Sequence, residues 1–177
     1  MKFITQIYYP NKDRVNISKA QKYYFGGLIL ASIFILLAWI NQDNWNNDSL
    51  KTIFNVCIFI SIGIFVYGMF ISINSAEKPN GILTGFIAIS ADLIEIDESK
   101  FKIQDVQNLK IIINDYKGKL KSSGLSFGPW KSAGTNNSLK FKYQNHLIEK
   151  QFRINSEKEF ELLKKLKIEL NTVANTV

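Results

Sequence analysis

The chain has 177 residues, which is enough for one small domain and one further structural element, and its net charge is +7 at neutral pH. That charge is divided into +4 for residues 1–22, −1 for residues 43–51 and +4 for residues 77–177, a spread too diffuse to indicate a nucleic-acid-binding protein. The single cysteine, Cys57, excludes an intramolecular disulfide and a cluster of thiolate metal ligands within the chain.

A basic segment, residues 1–22, opens the chain and is followed by a first apolar run, residues 23–42, that has no charged side chain. At about 1.5 Å per helical residue the run spans about 30 Å, the thickness of bilayer hydrocarbon. A cleaved signal peptide is the alternative, but the run ends in Leu37-Ala38-Trp39-Ile40-Asn41, without the small-residue pattern of a cleavage site. We therefore predict a retained transmembrane helix over residues 23–42.

A second apolar run, residues 52–76, follows a short loop at residues 43–51 and predicts a second transmembrane helix over residues 52–74. Two buried helices of a soluble protein are the alternative, but so small a module cannot surround helices that are apolar on every face. Neither span contains a charged residue, which argues against an ion pathway or a proton relay. Residues suited to close helix contact are Gly27, Ala31, Ser32, Asn55, Ser61, Gly63 and Gly68.

Basic residues flank the two spans, whereas the loop between them has only Lys51. The flanking residues are Lys2, Lys12, Arg14, Lys19, Lys22, Lys78, Lys100 and Lys102. By the positive-inside rule both termini face the cytoplasm, and we expect an integral protein of the bacterial inner membrane. Tyr23 and Tyr24 at one end of the first span, with Trp39 and Trp45 at the other, are typical of the aromatic belts at the two interfaces.

After a linker at residues 75–83 the pattern changes to short runs of β-branched and aromatic residues separated by turn formers. These runs predict strands at residues 86–89, 93–96, 101–103 and 109–113, and a hairpin of residues 139–143 and 147–154 turning at Gln144-Asn145-His146. Ser156 and Glu159 form a capping pattern at the start of a helix that ends near Asn171. The apolar stripe of that helix is Phe160, Leu163, Leu166 or Lys167, and Leu170, with Leu162 beside it.

The module of residues 84–171, followed by a tail at residues 172–177, resembles the bacterial pleckstrin-homology-like (PH-like) domain that is often attached to two-span hairpins. The resemblance lies in Ile87-x-Ile89-x-x-Asp92-x-Ile94-x-Ile96, in Phe101-x-Ile103-x-Asp105-Val106-x-x-Leu109-x-Ile111, and in Phe152-x-Ile154-x-Ser156. It implies an α+β membrane protein in which an antiparallel β-sandwich or barrel is closed by a C-terminal helix. Members that read phosphoinositides place a basic cluster between their first two strands; the corresponding turn here, Ser90-Ala91-Asp92, has none.

No catalytic or cofactor motif is recognised, so we predict a protein that is not an enzyme and has no cofactor. His146, the only histidine, lies in a predicted turn, and Asp97, Glu98 and Asp105 are turn carboxylates without metal-ligand spacing. The expected function is a membrane-anchored interaction module, an adaptor, regulator or small subunit. Its expected partners are membrane lipids and another membrane protein or a second copy, with no nucleic acid. A peripheral sensor of anionic lipid and an enzyme with an unrecognised site are the alternatives.

The segment of residues 117–131 combines lysines with aromatic side chains among glycines and a proline. The segment also contains Leu125. One interpretation is an edge strand at residues 119–121 followed by a loop whose aromatic side chains pack on the domain core. The other is that exposed side chains contact lipid headgroups or an acidic partner. The candidate contact residues are Lys117, Lys119, Lys121, Phe127, Trp130 and Lys131. We further predict that the chain from about residue 80 folds without the spans.

Overall fold

The computed structural model describes residues 1–11, 13, 16–121 and 127–174, and side chains only as far as residue 170 in the last range. The chain divides into two compact units. One unit comprises residues 1–13, 78–121 and 131–174, and we call it the sheet domain. The other comprises residues 16–77 with residues 127–130, and we call it the helix pair. Lys12, Arg14, Leu125 and the last three residues of the predicted tail lie outside the described residues.

The sheet domain consists of nine strands and one α-helix among its described residues. They are β1 (Lys2–Pro10), β2 (Gly81–Ser90), β3 (Leu93–Ile96), β4 (Ser99–Lys102), β5 (Gln107–Ile113), β6 (Lys117–Leu120), β7 (Lys131–Ala133), β8 (Asn137–Tyr143), β9 (His146–Phe152) and α3 (Glu157–Ala174). The helix pair contains α1 (Lys19–Ile40) and α2 (Asp48–Asn74). The predicted mixed architecture of two long apolar helices, an antiparallel sheet and a C-terminal helix is confirmed.

Seven strands form one antiparallel sheet in the order β4-β3-β2-β1-β9-β8-β5. On one side of β1 lie β2, β3 and β4, in chain order outward. On the other side lie β9, β8 and β5, with β5 at the edge. The hairpin predicted at Gln144-Asn145 is confirmed, and both residues have positive φ, 45° and 67°, as a two-residue turn of this hand requires. β6 and β7 form a separate two-stranded ribbon.

Strand β1 corrects the sequence analysis, which assigned no strand to residues 1–22. It lies in the middle of the sheet, where it pairs along its whole length with β2 and through Ile7 and Tyr8 with β9. The pair Pro10 and Gly81 ends the β1–β2 ladder, and Asn11 N–H donates to the carbonyl oxygen of Asn80 over 2.8 Å beyond it. The helix pair is therefore an insertion between two neighbouring strands, and the domain does not begin after the second helix.

The core of the sheet domain lies between one face of the sheet and α3. On β1 the side chains of Phe3 and Ile7 are buried because alternate residues of a strand point to the same face. The predicted stripe of α3 is confirmed, with Leu166 rather than Lys167 as its third buried member. The buried set comprises Phe3, Ile7, Ile87, Ile89, Ile94, Ile96, Ile111, Leu139, Phe141, Phe152, Ile154, Phe160, Leu163, Leu166 and Leu170.

The two long helices run antiparallel and touch through small residues. A Cβ atom added to Gly27 would lie 2.7 Å from the backbone nitrogen of Phe65, and one added to Gly68 would lie 3.0 Å from that of Tyr24. Ser61, which is buried, stands beside Gly27 and donates to the carbonyl oxygen of Cys57. Of the predicted contact residues, Ser32, Asn55 and Gly63 are exposed instead. The close approach of the backbones therefore depends on Gly27 and Gly68.

The turn between the helices is short and rich in asparagine. After α1, residues Asn41–Trp45 form one π-helical turn, and Asn46 adopts a left-handed conformation with φ of 43°. The buried side chain of Asn41 donates to the carbonyl oxygen of Asn47 over 3.0 Å, and Asn47 in turn accepts from the N–H of Leu50 to cap α2. These side-chain hydrogen bonds close the hairpin.

Candidate functional site

The β6–β7 ribbon carries three of the six candidate contact residues. Lys117 lies opposite Ala133, and Lys131 lies opposite Leu120, whose side chain is 65% exposed. The ribbon is attached to the domain by the Lys117 N–H, which donates to the carbonyl oxygen of Ile154 over 2.9 Å. It therefore presents two lysines and an apolar side chain on a fixed backbone.

Lys119 is the third ribbon lysine, and two contacts fix its side chain. The ammonium group donates to the carbonyl oxygen of Asn114 over 2.7 Å and lies 5.5 Å from the centre of the Phe160 ring. Lys164 approaches the same ring to 4.3 Å. Cation–π contacts of this kind are worth about 0.5–1 kcal/mol at exposed sites. Lys119 is therefore positioned by the domain itself, in contrast with a freely mobile surface lysine.

A buried polar network holds the base of the ribbon. The Asn137 side-chain oxygen accepts from the N–H groups of Asn114 and Asp115 over 2.9 and 3.0 Å, and its amide donates to the carbonyl oxygen of Gly134 over 2.9 Å. Ser132 donates to the carboxylate of Asp115 and accepts from the N–H of Gly134. Gly134 has φ of 76°, and an added Cβ there would meet the backbone of the ribbon. This position therefore requires glycine.

The two aromatic candidates belong to the helix pair and not to the sheet domain. The ring of Phe127 lies 5.4 Å from that of Tyr24 and 6.3 Å from that of Phe25, and its side chain remains 51% exposed. The backbone N–H of Trp130 donates to the carbonyl oxygen of Ser72 over 3.1 Å, and the Ser72 hydroxyl donates to the carbonyl oxygen of Gly128. Residues 127–130 are thus bound to the apolar helices, which differs from the interpretation in which they pack on the domain core.

The six candidates therefore fall into two groups. The lysines of the ribbon, together with Lys121 that follows it, belong to the sheet domain, whereas Phe127 and Trp130 belong to the helix pair. The sequence placed them in one segment because they are close along the chain. No pattern in residues 117–131 indicates that the aromatic side chains contact the first helix, because that contact joins positions about one hundred residues apart.

A charged cluster that joins β1, β3 and β4 was not predicted from the sequence. The Glu95 carboxylate accepts from Lys2 over 2.7 Å and lies 3.4 Å from Lys100. The hydrogen bond from Lys2, assisted by the charges of both lysines, holds the pKa of Glu95 below its usual value and outweighs partial burial, which acts in the opposite direction. This cluster stabilises β1 against β3 across β2, which makes it a structural feature.

The region beside strand β5 contains a cavity of about 360 Å³ that the sequence analysis did not anticipate. Its lining consists of residues 109–114 of the strand and the turn after it, with Lys167 and Leu170 of α3. Elsewhere in the part of the chain that the structure describes, no group of three or more His, Cys, Asp or Glu side chains could hold a metal ion. His146 is the exposed first residue of β9.

Comparison of the chain with models of protein families, with curated proteins and with solved structures finds no match.

Proposed function

We propose that this protein is a membrane-anchored interaction module, not an enzyme, with a PH-like sheet domain in the cytoplasm. The observation that carries the proposal is the insertion of two long apolar helices between the paired strands β1 and β2. An anchor inserted in this way leaves the sheet domain as the part of the chain that meets other molecules.

The paired strands support a hairpin that enters and leaves the bilayer on the same side. Because Pro10 and Gly81 are partners in one ladder, the chain enters and leaves the inserted segment from the same folded domain. Such a segment crosses a membrane an even number of times, whatever the charges of its flanks. The first helix together with the π-helical turn that follows it has 27 residues, and the second helix alone has 27 residues. Each is long enough to cross the membrane once.

The surfaces of the helices favour a lipid environment. Only 11% and 17% of their most apolar stretches are buried within the described structure. Many of the remaining apolar side chains are exposed, and no charged residue interrupts residues 23–42 or 52–76. A soluble protein would cover such a surface with other side chains, whereas a bilayer covers it with hydrocarbon.

The strand order supports the PH-like assignment of the domain. Four strands follow one another on one side of the sheet, three return on the other, and a single helix after the last strand covers the core. With β1 included, Ser90-Ala91-Asp92 joins the second and third strands, so it does not correspond to the turn between the first two strands that carries the basic cluster in phosphoinositide-reading members. The connection between the first two strands is the helix pair.

The orientation is tested by single cysteines at Asn46 and Asn145 in a Cys57→Ser background. Asn46 lies in the turn between the helices and Asn145 in the β8–β9 turn of the sheet domain. In intact bacterial cells an impermeant thiol reagent is expected to label position 46 and to leave position 145 unlabelled until the cells are permeabilised. Labelling of position 145 alone contradicts the proposed orientation, and labelling of both contradicts the membrane hairpin.

The interaction role is tested by cross-linking in native membranes followed by purification of the full chain. A partner in constant ratio to the chain is expected, and it is expected to be lost when Phe3 is replaced by Asp, which disrupts the buried face of β1. Replacement of the exposed Ile4 by Asp serves as the control. Purification of the chain alone from cross-linked membranes would contradict the role.

Contact with anionic lipid is a second candidate role, and the ribbon favours it. Lys117 and Lys131 accompany the exposed Leu120, and each lysine close to an anionic surface adds about 1 kcal/mol to binding. With Trp39 and Trp45 replaced by Phe, the emission of Trp130 in vesicles reports its own surroundings. A salt-sensitive blue shift on adding anionic lipid to neutral vesicles supports the role, and identical emission in both opposes it.

A further inference from the structure

The cavity beside β5 follows the edge of a strand. Six consecutive residues, 109–114, line it, together with Lys167 and Leu170 of α3. Consecutive residues of a strand point alternately to opposite faces, so a surface that touches all of them runs along the backbone between the two faces. The cavity is therefore a groove with the edge of β5 as one wall and α3 as the other.

The edge of β5 retains unused backbone hydrogen-bonding capacity. β5 is the terminal strand of the seven-stranded sheet, and β8 is its one strand partner among the described residues. In an antiparallel ladder alternate residues direct their N–H and C=O groups away from the neighbouring strand. These groups line the groove and are a template for an additional strand.

The charges of the groove select the partner. Of the described residues that line it, Lys110 and Lys167 carry charge, and both are positive. A second copy of β5 would bring the two Lys110 side chains together, which is unfavourable. Leu109 and Leu170 provide an apolar surface on the face of the sheet that α3 covers, and Lys110 lies on the opposite face. An extended segment that alternates acidic and apolar side chains matches both features.

We infer that an extended acidic segment of a partner protein binds in this groove as an eighth strand of the sheet. Backbone hydrogen bonds to β5 supply affinity, acidic side chains on the face of the sheet away from α3 meet Lys110, and apolar side chains on the face toward α3 enter the cavity, where the charge of Lys167 adds to the attraction for an acidic segment. A segment of about six residues, about 20 Å long, follows the lining of the groove. The inference rests on the proposed interaction module and specifies the chemistry of its partner.

The test uses the full chain in nanodiscs and four fluorescent octapeptides. The first alternates glutamate and valine, and the second has lysine in place of each glutamate. The third and fourth have the sequence of the first, with the backbone nitrogens of the odd residues methylated in one and those of the even residues methylated in the other. We expect the first peptide to bind at least tenfold more tightly than the second. At least one of the methylated peptides is expected to bind at least tenfold more weakly than the first peptide, because its methylated nitrogens cannot donate hydrogen bonds to the edge of β5.

The groove is tested by the double charge reversal Lys110→Glu and Lys167→Glu. Its matched control is Lys102→Glu with Lys158→Glu, which also changes one exposed lysine on a strand and one on α3 but leaves the groove intact. We expect the first pair of substitutions to weaken binding of the acidic peptide at least tenfold and the control pair to weaken it less than twofold. Equal losses in the two pairs would mean a general charge effect and would overturn the inference.

Two further outcomes separate this inference from its alternatives. If both methylated peptides bind as tightly as the unmethylated acidic peptide, strand addition is ruled out. Disulfide-linked dimers of a Lys110→Cys variant in a Cys57→Ser background, formed in membranes in high yield, would assign the edge to a second copy and overturn the acidic partner. Cysteine labelling at Asn46 in intact cells tests the anchor separately, so a correctly inserted chain that binds no acidic peptide contradicts the groove alone.

Discussion

Replacement of Ile7 by alanine tests whether β1 is part of the sheet domain. Ile7 is fully buried in the middle strand, and Ile4, on the opposite face of the same strand, is 58% exposed. Removing a buried isoleucine side chain costs about 2–5 kcal/mol, a large part of the roughly 5–15 kcal/mol that stabilises a domain. The same truncation at an exposed position costs about 0.5 kcal/mol. Ile4→Ala is therefore the matched control.

The measurement requires the sheet domain without the helix pair. Pro10 and Gly81 are partners in neighbouring strands, so a short glycine-serine linker can join residues 1–11 to residues 78–177. With a urea dependence of about 2 kcal/mol per molar, Ile7→Ala is expected to lower the unfolding midpoint by about 1–2.5 M. Ile4→Ala is expected to lower it by about 0.3 M or less.

The chain from residue 78 alone provides the second comparison. It lacks β1, so β2 and β9 lose their shared neighbour and the core loses Phe3 and Ile7. We now expect this fragment not to unfold cooperatively, in contrast with the expectation drawn from the sequence. A cooperative transition in the fragment, or equal shifts for Ile7→Ala and Ile4→Ala, would refute a structural role for β1.

Two other predictions use the same joined domain. Asn137→Ala removes the three hydrogen bonds that the buried Asn137 side chain makes with backbone groups and is expected to cost about 2–4 kcal/mol in the urea titration. A loss below about 1 kcal/mol would contradict a structural role for this side chain. Because its lysine partners lower the pKa of Glu95, the stability that this carboxylate contributes is complete above its usual pKa of 4.5 and is lost as the pH falls through the lower folded value. Glu95→Gln is therefore expected to lose less stability than the parent between about pH 5 and about pH 3, and a parallel loss would contradict the assignment.

Several elements could be predicted because their signals are local. Residues 23–42 and 52–76 contain no charge over lengths that suit a long apolar helix, and the stripe from Phe160 to Leu170 repeats at the helical period. The β8–β9 hairpin is marked by strict alternation of side chains and by Gln144-Asn145, which accept positive φ. In each of these cases the residues that determine the element are close neighbours in the chain.

Residues 2–10 show the limit of local signals. Phe3, Thr5 and Ile7 alternate with exposed residues as a strand requires, yet the basic residues that follow favoured a segment belonging to the membrane flank. The partners of this strand begin at Gly81 and at His146, and the energy of a strand comes from its neighbours rather than from its own residues. Its place in the sheet is therefore not visible in its sequence.

The sequence by itself determined that the chain contains two long apolar helices, short antiparallel strands and an amphipathic C-terminal helix, since each depends on composition or periodicity over a few turns. Only the tertiary structure decided that the helices interrupt the sheet between β1 and β2, that Phe127 contacts α1, and that β5 ends the sheet beside α3. These facts depend on pairings between residues far apart in the chain, because an edge exists only after every other strand has found its neighbour.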